Sequence, residues 1–145
     1  MNISEIMSPE VDLADPNMSL HAAAIKMRDD HVGSLPVGEN DRLIGMITDR
    51  DIAVRGVAGH EHPENTAVRS CMSEHVFYCF DDQPLAEAGK MMAEHQVHRL
   101  PVLNRDKRLV GIVALADLAR AGEEGAQAAG TALAGICEPT REPRR

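Results

Sequence analysis

The segment Leu43–Asp51, with the sequence LIGMITDRD, returns in altered form as Leu109–Asp117, LVGIVALAD. The run Leu35-Pro36-Val37 before the first segment likewise returns as Leu100-Pro101-Val102 before the second. The two copies match at an offset of 65 residues up to the turn between these runs, and at 66 after it, because the second turn has one extra residue. A repeat of this length is a complete supersecondary unit, so two such units are expected to bury each other's apolar faces.

The pattern of apolar and polar residues predicts the same order of elements in both repeats, β-α-β-β-α. An apolar extended segment opens each repeat, at Val11–Leu13 and at Val76–Cys79, and a polar turn and a helix follow. Two apolar runs around a polar turn then indicate a hairpin, and the proline in its first strand favours an edge position or a strand start. A second helix closes each repeat, over Asp49–Val57 and Leu115–Ala121. The chain is therefore expected to be a mixed α/β protein of the α+β class.

The first helix of each repeat has its own start signal. Ser19 is suited to cap the helix in the first copy, and Pro84 suits the first helical turn in the second. Apolar residues then recur at helical spacing, from Leu20 to Met27 and from Leu85 to Met92. Each helix is expected to bury one face.

The repeats set the expected domain boundaries. Residues 1–66 hold the first repeat and a linker rich in Gly, His, Pro and Glu, and residues 67–122 hold the second repeat. Residues 123–145 form a tail that is expected to be a weak helix and then disordered, with Leu133 and Ile136 as the large apolar residues of the helix.

Composition indicates what the core is made of and which partners to expect. Apolar residues make up 43% of the chain and aromatic residues only 2%, so the core must be aliphatic. Fifteen basic and 23 acidic residues give a net charge of -8, which argues against nucleic acid as a partner but allows a small anion in a locally basic cleft. No apolar stretch approaches the roughly 18 residues that span a bilayer, and no signal-peptide pattern begins the chain. We expect a cytoplasmic protein without a membrane partner.

Cysteine and histidine positions give no strong metal or disulfide pattern. Cys71, Cys79 and Cys137 are odd in number and form no C-x-x-C pair, which is typical of buried thiols in a reducing compartment, although Cys71 and Cys79 could pair under oxidation. His60-Glu61-His62 could hold a metal only with a third fixed ligand, which the sequence does not offer. No metal site and no catalytic motif is predicted.

The motifs together resemble a tandem pair of CBS domains, the regulatory modules named after cystathionine β-synthase. The resemblance covers residues 1 to about 122, and the tail and length are similar to short stand-alone members of the hypoxic response protein type. It is carried by Ile6-Met7-Ser8-Pro9, Cys71-Met72-Ser73, the two Leu-Pro-Val runs, Gly45–Asp51 and the imperfect copy Gly111–Asp117.

This resemblance implies a fold, a ligand class and an assembly. The two repeats are expected to pack sheet to sheet with pseudo-two-fold symmetry and to leave two clefts. The clefts of the family commonly bind adenosine-containing ligands, and the modules commonly pair, so a homodimer is expected. The resemblance also implies a regulatory protein rather than an enzyme.

Thr48 and Asp51 are the most informative candidate site residues. If a strand ends at Thr48, the next helix begins with free amides, the Thr48 hydroxyl can donate to a ligand oxygen, and the Asp51 carboxylate can accept from both ribose hydroxyls. The same spacing is typical of a capping box that merely begins a helix. The family resemblance favours ribose binding, and the two roles can coexist.

Cations near these positions could contact phosphate groups. Arg50 lies at the same helix start as Asp51, where it could neutralise phosphate or be an ordinary surface cation. His98-Arg99 precedes the second Leu-Pro-Val run, where the resemblance implies contacts to nucleotide phosphates; the alternative is a solvated strand entrance.

Apolar residues of the predicted strands could form an adenine slot. One slot would be lined by Val11, Leu35 and Pro36, and the other by Pro101. Without the family resemblance, the spacing of these four residues predicts that they belong to the core. The second cleft departs from the first, because Ala114 stands where Thr48 stands while Asp117 keeps the carboxylate. We therefore expect unequal occupancy of the two clefts.

These observations favour a non-catalytic sensor that holds AMP, ADP or ATP between its repeats and signals to a separate protein. An interaction protein with vestigial clefts, and a sensor of S-adenosylmethionine or NAD, are the alternatives. An enzyme ranks last because no nucleophile–base pair is legible in the sequence.

Overall fold

The computed structural model describes residues 1–59 and 62–139, so residues 140–145 of the expected disordered end, Glu138–Arg145, lie outside that range. The helices are α1 (Leu20–Asp30), α2 (Asp49–Asp51), α3 (Leu85–His95), α4 (Leu115–Ala119) and α5 (Gly122–Ile136). The strands are β1 (Ser34–Glu39), β2 (Arg42–Thr48), β3 (Cys79–Phe80), β4 (Arg99–Leu103) and β5 (Leu109–Ala114). β1 pairs with β2, and β3, β4 and β5 form a second sheet in that order, so the predicted α+β class is confirmed. Within the described residues, no helix has both the length and the apolar character needed to span a membrane.

The chain divides into two compact units that cross the sequence repeats. Unit I is Asp12–Val76, and unit II joins Met1–Val11 to the described residues from Phe77 onward. Unit II therefore contains residues 1–11 of repeat 1, and unit I ends with residues 67–76 of repeat 2. These two stretches are called the opening segments of the repeats from here on. Each repeat completes its unit with the segment that begins the other repeat.

A two-bond bridge fastens each opening segment to a hairpin strand. In unit I the Met46 N–H donates to the Ser73 carbonyl at 3.0 Å, and the Ser73 N–H donates back to Met46 at 2.9 Å. In unit II Ile112 and Ser8 exchange the equivalent bonds at 2.9 and 2.8 Å. These are antiparallel bridges, so each opening segment extends the backbone pairing of β2 or β5.

Glycine makes this close approach possible in both units. A Cβ on Gly45 would lie 2.8 Å from the Ser73 carbonyl oxygen, and a Cβ on Gly111 would lie 2.8 Å from that of Ser8. Real Cβ atoms essentially never come that close to another atom. The glycine before each bridging residue is therefore required by the neighbouring backbone.

The same bridges explain the two strand prolines. Pro36 lies opposite Met46, and Pro101 lies opposite Ile112. Since Met46 and Ile112 direct their N–H and C=O groups toward the opening segments, the prolines belong to pairs that exchange no hydrogen bonds within the hairpin. Pro101 nevertheless lies in the central strand of its sheet, so the predicted edge or strand-start position is wrong there. It is tolerated because β3 begins its pairing only at Val102.

Each unit has its own aliphatic core, as the composition predicted. Both cores combine the first helix, the hairpin and the borrowed opening segment, here represented by Val68 in unit I and Ile3 in unit II. The buried members are Ala14, Leu20, Ala23, Met27, Leu35, Val37, Ile47, Val68, Cys71 and Met72 in unit I, and Ile3, Cys79, Leu85, Ala88, Met92, Leu100, Val102, Val113, Leu118, Ala128 and Ala132 in unit II.

Several element boundaries differ from the sequence-based expectation. The predicted strand Val11–Leu13 does not form, and the chain instead makes one parallel bridge between Ala14 and Val37. β3 starts three residues later than the predicted Val76. α2 covers one turn and continues as a π-helix over Ile52–Val57.

The two helix starts had different outcomes. The Ser19 hydroxyl accepts the Ala22 N–H at 3.0 Å, which confirms the predicted cap of α1. Pro84 occupies the cap position itself, one residue before α3 begins, rather than the first helical turn.

The tail helix α5 is a packed element rather than a weak helix. Its small residues face α3 so closely that a Cβ on Gly89 would overlap the Ala128 carbonyl oxygen, and a Cβ on Gly135 would overlap Ala93. Leu133, expected to be one of its apolar anchors, is 50% exposed instead. The Ala- and Gly-rich composition therefore supports close helix packing, which propensity alone does not predict.

We predict that Gly45→Ala lowers the free energy of unfolding by about 1–3 kcal/mol, because the new methyl group meets a backbone oxygen that cannot rotate away. Gly130→Ala is the control, since a Cβ there meets no atom within 4 Å, and it should be neutral or stabilising by up to about 1 kcal/mol. Urea unfolding followed by circular dichroism measures both. An unchanged midpoint for Gly45→Ala would contradict the close approach.

Candidate functional site

The turn at the end of β2 holds Thr48 and Asp51 in a reciprocal cap. The Thr48 hydroxyl oxygen accepts the Asp51 N–H at 3.0 Å, and Asp51 Oδ2 accepts the Thr48 N–H at 3.0 Å. Two amides that the first turn of α2 would otherwise leave without partners are thereby satisfied. The capping interpretation of this spacing is confirmed.

The cap leaves part of both side chains available to a ligand. Thr48 uses its oxygen as an acceptor, so its hydroxyl hydrogen can still be donated. Asp51 uses Oδ2, and Oδ1 accepts no hydrogen bond from any residue in the part of the chain that the structure describes. Both residues are partly exposed. One hydroxyl donor and one carboxylate oxygen therefore lie about one turn apart at the start of a helix.

The equivalent turn in unit II leaves fewer polar groups available to a ligand. Asp117 Oδ2 accepts the Ala114 N–H at 2.8 Å, which repeats half of the cap. Ala114 supplies no hydroxyl, and Asp117 Oδ1 accepts from Arg120 Nη2 at 3.3 Å. The free carboxylate oxygen of the first copy is thus occupied by an arginine in the second.

The predicted cations fall in different units. Arg50 is exposed beside Asp51 in unit I, and its N–H donates to Asp49 Oδ1 at 2.8 Å. His98 and Arg99 are exposed in unit II, where the His98 carbonyl accepts the Leu115 N–H at 2.8 Å. His98 and Arg99 therefore lie beside the start of α4, in the same unit as Asp117.

The predicted apolar slot residues are mostly interior. Leu35 is 2% exposed in the core of unit I, and Pro36 and Pro101 are also buried. Val11 is partly exposed in unit II. The core interpretation describes the first three positions, and a ligand contact at any of the four stays a prediction.

Arg55 was not singled out by the sequence, yet its side chain makes two hydrogen bonds within unit I. Its Nη1 donates to the carbonyl oxygens of Cys71 and Met72 at 2.9 and 3.0 Å. Asp51 and Arg55 both act electrostatically on the Cys71 thiol, so Arg55 lies close to the Thr48–Asp51 turn. The only sequence signal was its replacement by Ala121 in the second copy.

The structure holds no assembled metal site among residues 1–59 and 62–139, where no group of three or more His, Cys, Asp or Glu side chains could bind an ion. His60 and Glu61 of the weak His60-Glu61-His62 candidate lie outside the described residues. Cys71 and Cys79 are free, buried thiols in different units, and Cys137 is free and exposed. Burial raises the pKa of Cys71; Arg55 lowers it by a smaller amount, and Asp51 raises it slightly. Burial also raises the pKa of Cys79 to about 12.

Comparison with known proteins identifies a family that this chain matches. The model of the CBS domain matches residues 3–56 and 68–124. Hypoxic response protein 1 of Mycobacterium tuberculosis is 39% identical over 117 residues, which are 80% of this chain and 81% of that protein.

Two solved structures share the fold. The crystal structure of Hypoxic Response Protein I with two coordinated zinc ions has a TM-score of 0.76 and 38% identity, covering 83% of this chain and 98% of that chain. The CBS domain pair of protein MJ0100 in complex with 5′-methylthioadenosine and S-adenosyl-L-methionine has a TM-score of 0.72 and 25% identity, with the same two coverages.

We predict that one thiol per native chain reacts with Ellman's reagent at pH 8, and that three react after unfolding. Cys137 is exposed, whereas Cys71 and Cys79 are buried with raised pKa values and so present little thiolate. Absorbance of the released thiolate counts the reactive groups, and Cys137→Ser should reduce the native count to none. Rapid native reaction of Cys71 or Cys79 would show that the cores are more open than described.

Proposed function

The chain belongs to the CBS-domain family, and we propose that it is a regulatory module that binds an adenosine-containing ligand such as AMP, ADP or ATP. The observation that carries the proposal is the Thr48–Asp51 turn, where a helix cap leaves a hydroxyl donor and Asp51 Oδ1 unused by the described residues. Output would pass to a separate protein or to a second copy of the chain.

The ribose would be held by Asp51. Vicinal hydroxyls donate two hydrogen bonds in nearly one direction, and a carboxylate is the acceptor that suits them. Oδ1 would take one hydroxyl without loss of the cap, and Oδ2 could share its second lone pair with the other. Thr48 would donate to a ribose or phosphate oxygen. Helix capping and ligand binding therefore use different atoms of the same two residues.

Adenosine is favoured over other nucleosides by the relatives. The MJ0100 CBS pair, 25% identical, was crystallised with 5′-methylthioadenosine and S-adenosyl-L-methionine, which share an adenosine group. Arg50, beside Asp51, would add a preference for a phosphorylated ligand. S-adenosylmethionine, which carries no phosphate, is the competing ligand for the same turn.

Unit I would hold the stronger site. Unit II lacks the hydroxyl because of Ala114, and Arg120 occupies the carboxylate oxygen that the ribose would need. Loss of one hydrogen bond costs about 1 kcal/mol, or about fivefold in affinity. We therefore propose one dominant ligand per chain, with His98 and Arg99 contributing to the weaker site.

Regulation requires that the ligand prefer one arrangement of the protein. A ligand with equal affinity for two arrangements shifts neither, however tightly it binds. The proposal therefore includes a partner that distinguishes the ligand-bound form from the free form.

We predict that Asp51→Asn weakens nucleotide binding about tenfold or more, because it removes a charged acceptor from a hydrogen bond. Isothermal titration with adenosine, AMP, ADP, ATP and S-adenosylmethionine measures affinity and stoichiometry. Wild-type protein should bind about one nucleotide per chain, with a ligand-dependent rise in melting temperature.

Two matched variants control this experiment. Asp49→Asn removes an exposed carboxylate from the same turn, and Asp117→Asn removes the equivalent carboxylate in unit II. Both should retain nearly full affinity at the dominant site. If Asp51→Asn binds as wild type does, the site is elsewhere; if no adenosine compound binds, the protein is better described as an interaction module.

A further inference from the structure

The chain crosses from one compact unit to the other at two places. It enters unit I at Asp12 and returns to unit II at Phe77. The main chain is weakly held at both places, because no N–H group of Val11–Leu13 or of Glu74–Tyr78 donates a hydrogen bond to any described residue. Side-chain contacts therefore decide how firmly these two stretches, the first and second crossover segments, are held to their units.

An aromatic stack holds the second crossover segment. The ring of Phe77 lies on the imidazole of His95, with 4.1 Å between the ring centroids and an angle of 4° between the planes. Phe77 also packs at the edge of the unit II core, and His95 is the last residue of α3. Within the described part of the chain, the His95 imidazole makes no hydrogen bond and no ion pair. The stack is thus a contact between the crossover segment and the end of a helix.

Two features of this place favour the protonated form of the imidazole. The face of an aromatic ring attracts a cation, and Phe77 presents its face to His95. The C-terminal end of a helix carries a partial negative charge, which also favours a cation in the last turn of α3. Histidine is the side chain whose charge ordinarily changes between pH 5 and 8. Acidification across this range therefore strengthens the contact between Phe77 and His95.

Other charged and titratable groups lie on the elements that meet at this end of α3. They are Glu94 on α3, His98 and Arg99 after it, Cys137 and Glu138 at the end of α5, and His75 on the crossover segment. The two carboxylates favour an imidazolium, whereas Arg99 and the two histidines oppose it. None of them forms an ion pair with His95 in the described residues, so the ring of Phe77 and the helix end are its direct environment.

Unit I fills the equivalent place with different chemistry. At the offset of 65, Phe77 corresponds to Asp12 and His95 corresponds to Asp30. The Asp12 carboxyl group accepts from Lys26 Nζ at 2.5 Å and also forms a hydrogen bond with the Asp30 carboxyl group. A bond between two carboxyl groups needs a proton; it raises the pKa of Asp30 and, with Lys26, lowers the pKa of Asp12. This contact is present below the raised pKa of Asp30 and is lost as the pH rises through it.

The comparison shows that the fold does not require an aromatic stack at the crossover. The backbone of unit I tolerates two carboxyl groups where unit II has a phenyl ring and an imidazole. Both pairs nevertheless join the crossover residue to the last residue of the first helix of the unit, and both contain a group that titrates. Sensitivity to protons is thus a shared property of two contacts that share no residue type.

We propose that the Phe77–His95 stack is a proton-sensitive contact that fastens the second crossover segment to unit II. Protonation of His95 strengthens the stack, and deprotonation releases Phe77 more often. A proton from solvent is the only reactant. The device goes beyond the nucleoside proposal and does not depend on it, because it uses no residue of the Thr48–Asp51 turn.

Limited proteolysis with chymotrypsin tests the proposal. The two phenylalanines and the tyrosine of this chain are Phe77, Tyr78 and Phe80, so the aromatic cleavage sites all lie in or beside the second crossover segment. Cleavage after Phe77 requires its ring to leave the stack, and the rate follows the population of that open form. We predict cleavage about two- to fivefold slower at pH 6 than at pH 8. Mass spectrometry quantifies the fragments, and a synthetic peptide of residues 72–82 corrects for the pH dependence of the protease.

Three variants separate the stack from general effects of pH. His95→Gln removes the ring and its titration, so cleavage should be fast at both pH values and the ratio between them should fall to about one. His95→Phe keeps a ring without a charge, so cleavage should be slow at both pH values. His21→Gln removes an exposed histidine of α1 in unit I and should keep the wild-type ratio.

Two results would overturn the proposal. One is a corrected wild-type rate that does not change between pH 6 and pH 8. The other is a wild-type ratio that persists in His95→Gln or in His95→Phe, since neither side chain titrates in this range. If His95→Gln unfolds, His95→Phe decides the question, because it keeps an aromatic contact with Phe77 and removes only the proton.

Discussion

The structure depends on a backbone bridge that joins each repeat's opening segment to the hairpin of the other repeat. Ser73 pairs with Met46 in unit I, and Ser8 pairs with Ile112 in unit II. Gly45 and Gly111 allow the approach, since neither position has room for a Cβ. The bridges decide which residues complete each core. They also place the prolines of β1 and β4 in pairs that need no N–H from the proline. Each compact unit is therefore complete only when the opening segment of the other repeat pairs with its hairpin.

The candidate site is a consequence of the same arrangement. β2 ends at Thr48 because the helix cap begins there, and the opening segment of repeat 2 passes close enough for Arg55 to bind its carbonyl oxygens. Unit II keeps the backbone but has Ala114 and Ala121 in place of the hydroxyl and the guanidinium. The two copies thus share a fold while differing in the groups they offer to a ligand.

Local features of the fold could be predicted from the sequence, and features that depend on packing could not. The hairpins and the Ser19 cap follow from residues that are neighbours in the chain. The exchange of opening segments could not be predicted, because an offset between copies does not say which copy a segment joins. The packing of α5 through small residues was missed because alanine and glycine carry no strong apolar signal, and Pro101 was misplaced because its tolerance depends on the short partner β3. In the candidate site the Thr48–Asp51 spacing was sufficient to predict the cap, whereas Arg55 needed the tertiary contact to Cys71 and Met72.

Amide hydrogen exchange at the four bridging residues tests the central claim most directly. Each of Ser8, Ile112, Met46 and Ser73 donates its N–H across a bridge, and exchange of such an amide requires the bridge to open. We predict that the amides of Ser8 and Ser73 exchange as slowly as the hairpin amides of their own unit. Exchange of Ser8 and Ser73 at the rate of an unfolded peptide, while both hairpins stay protected, would contradict the crossed arrangement of the two repeats.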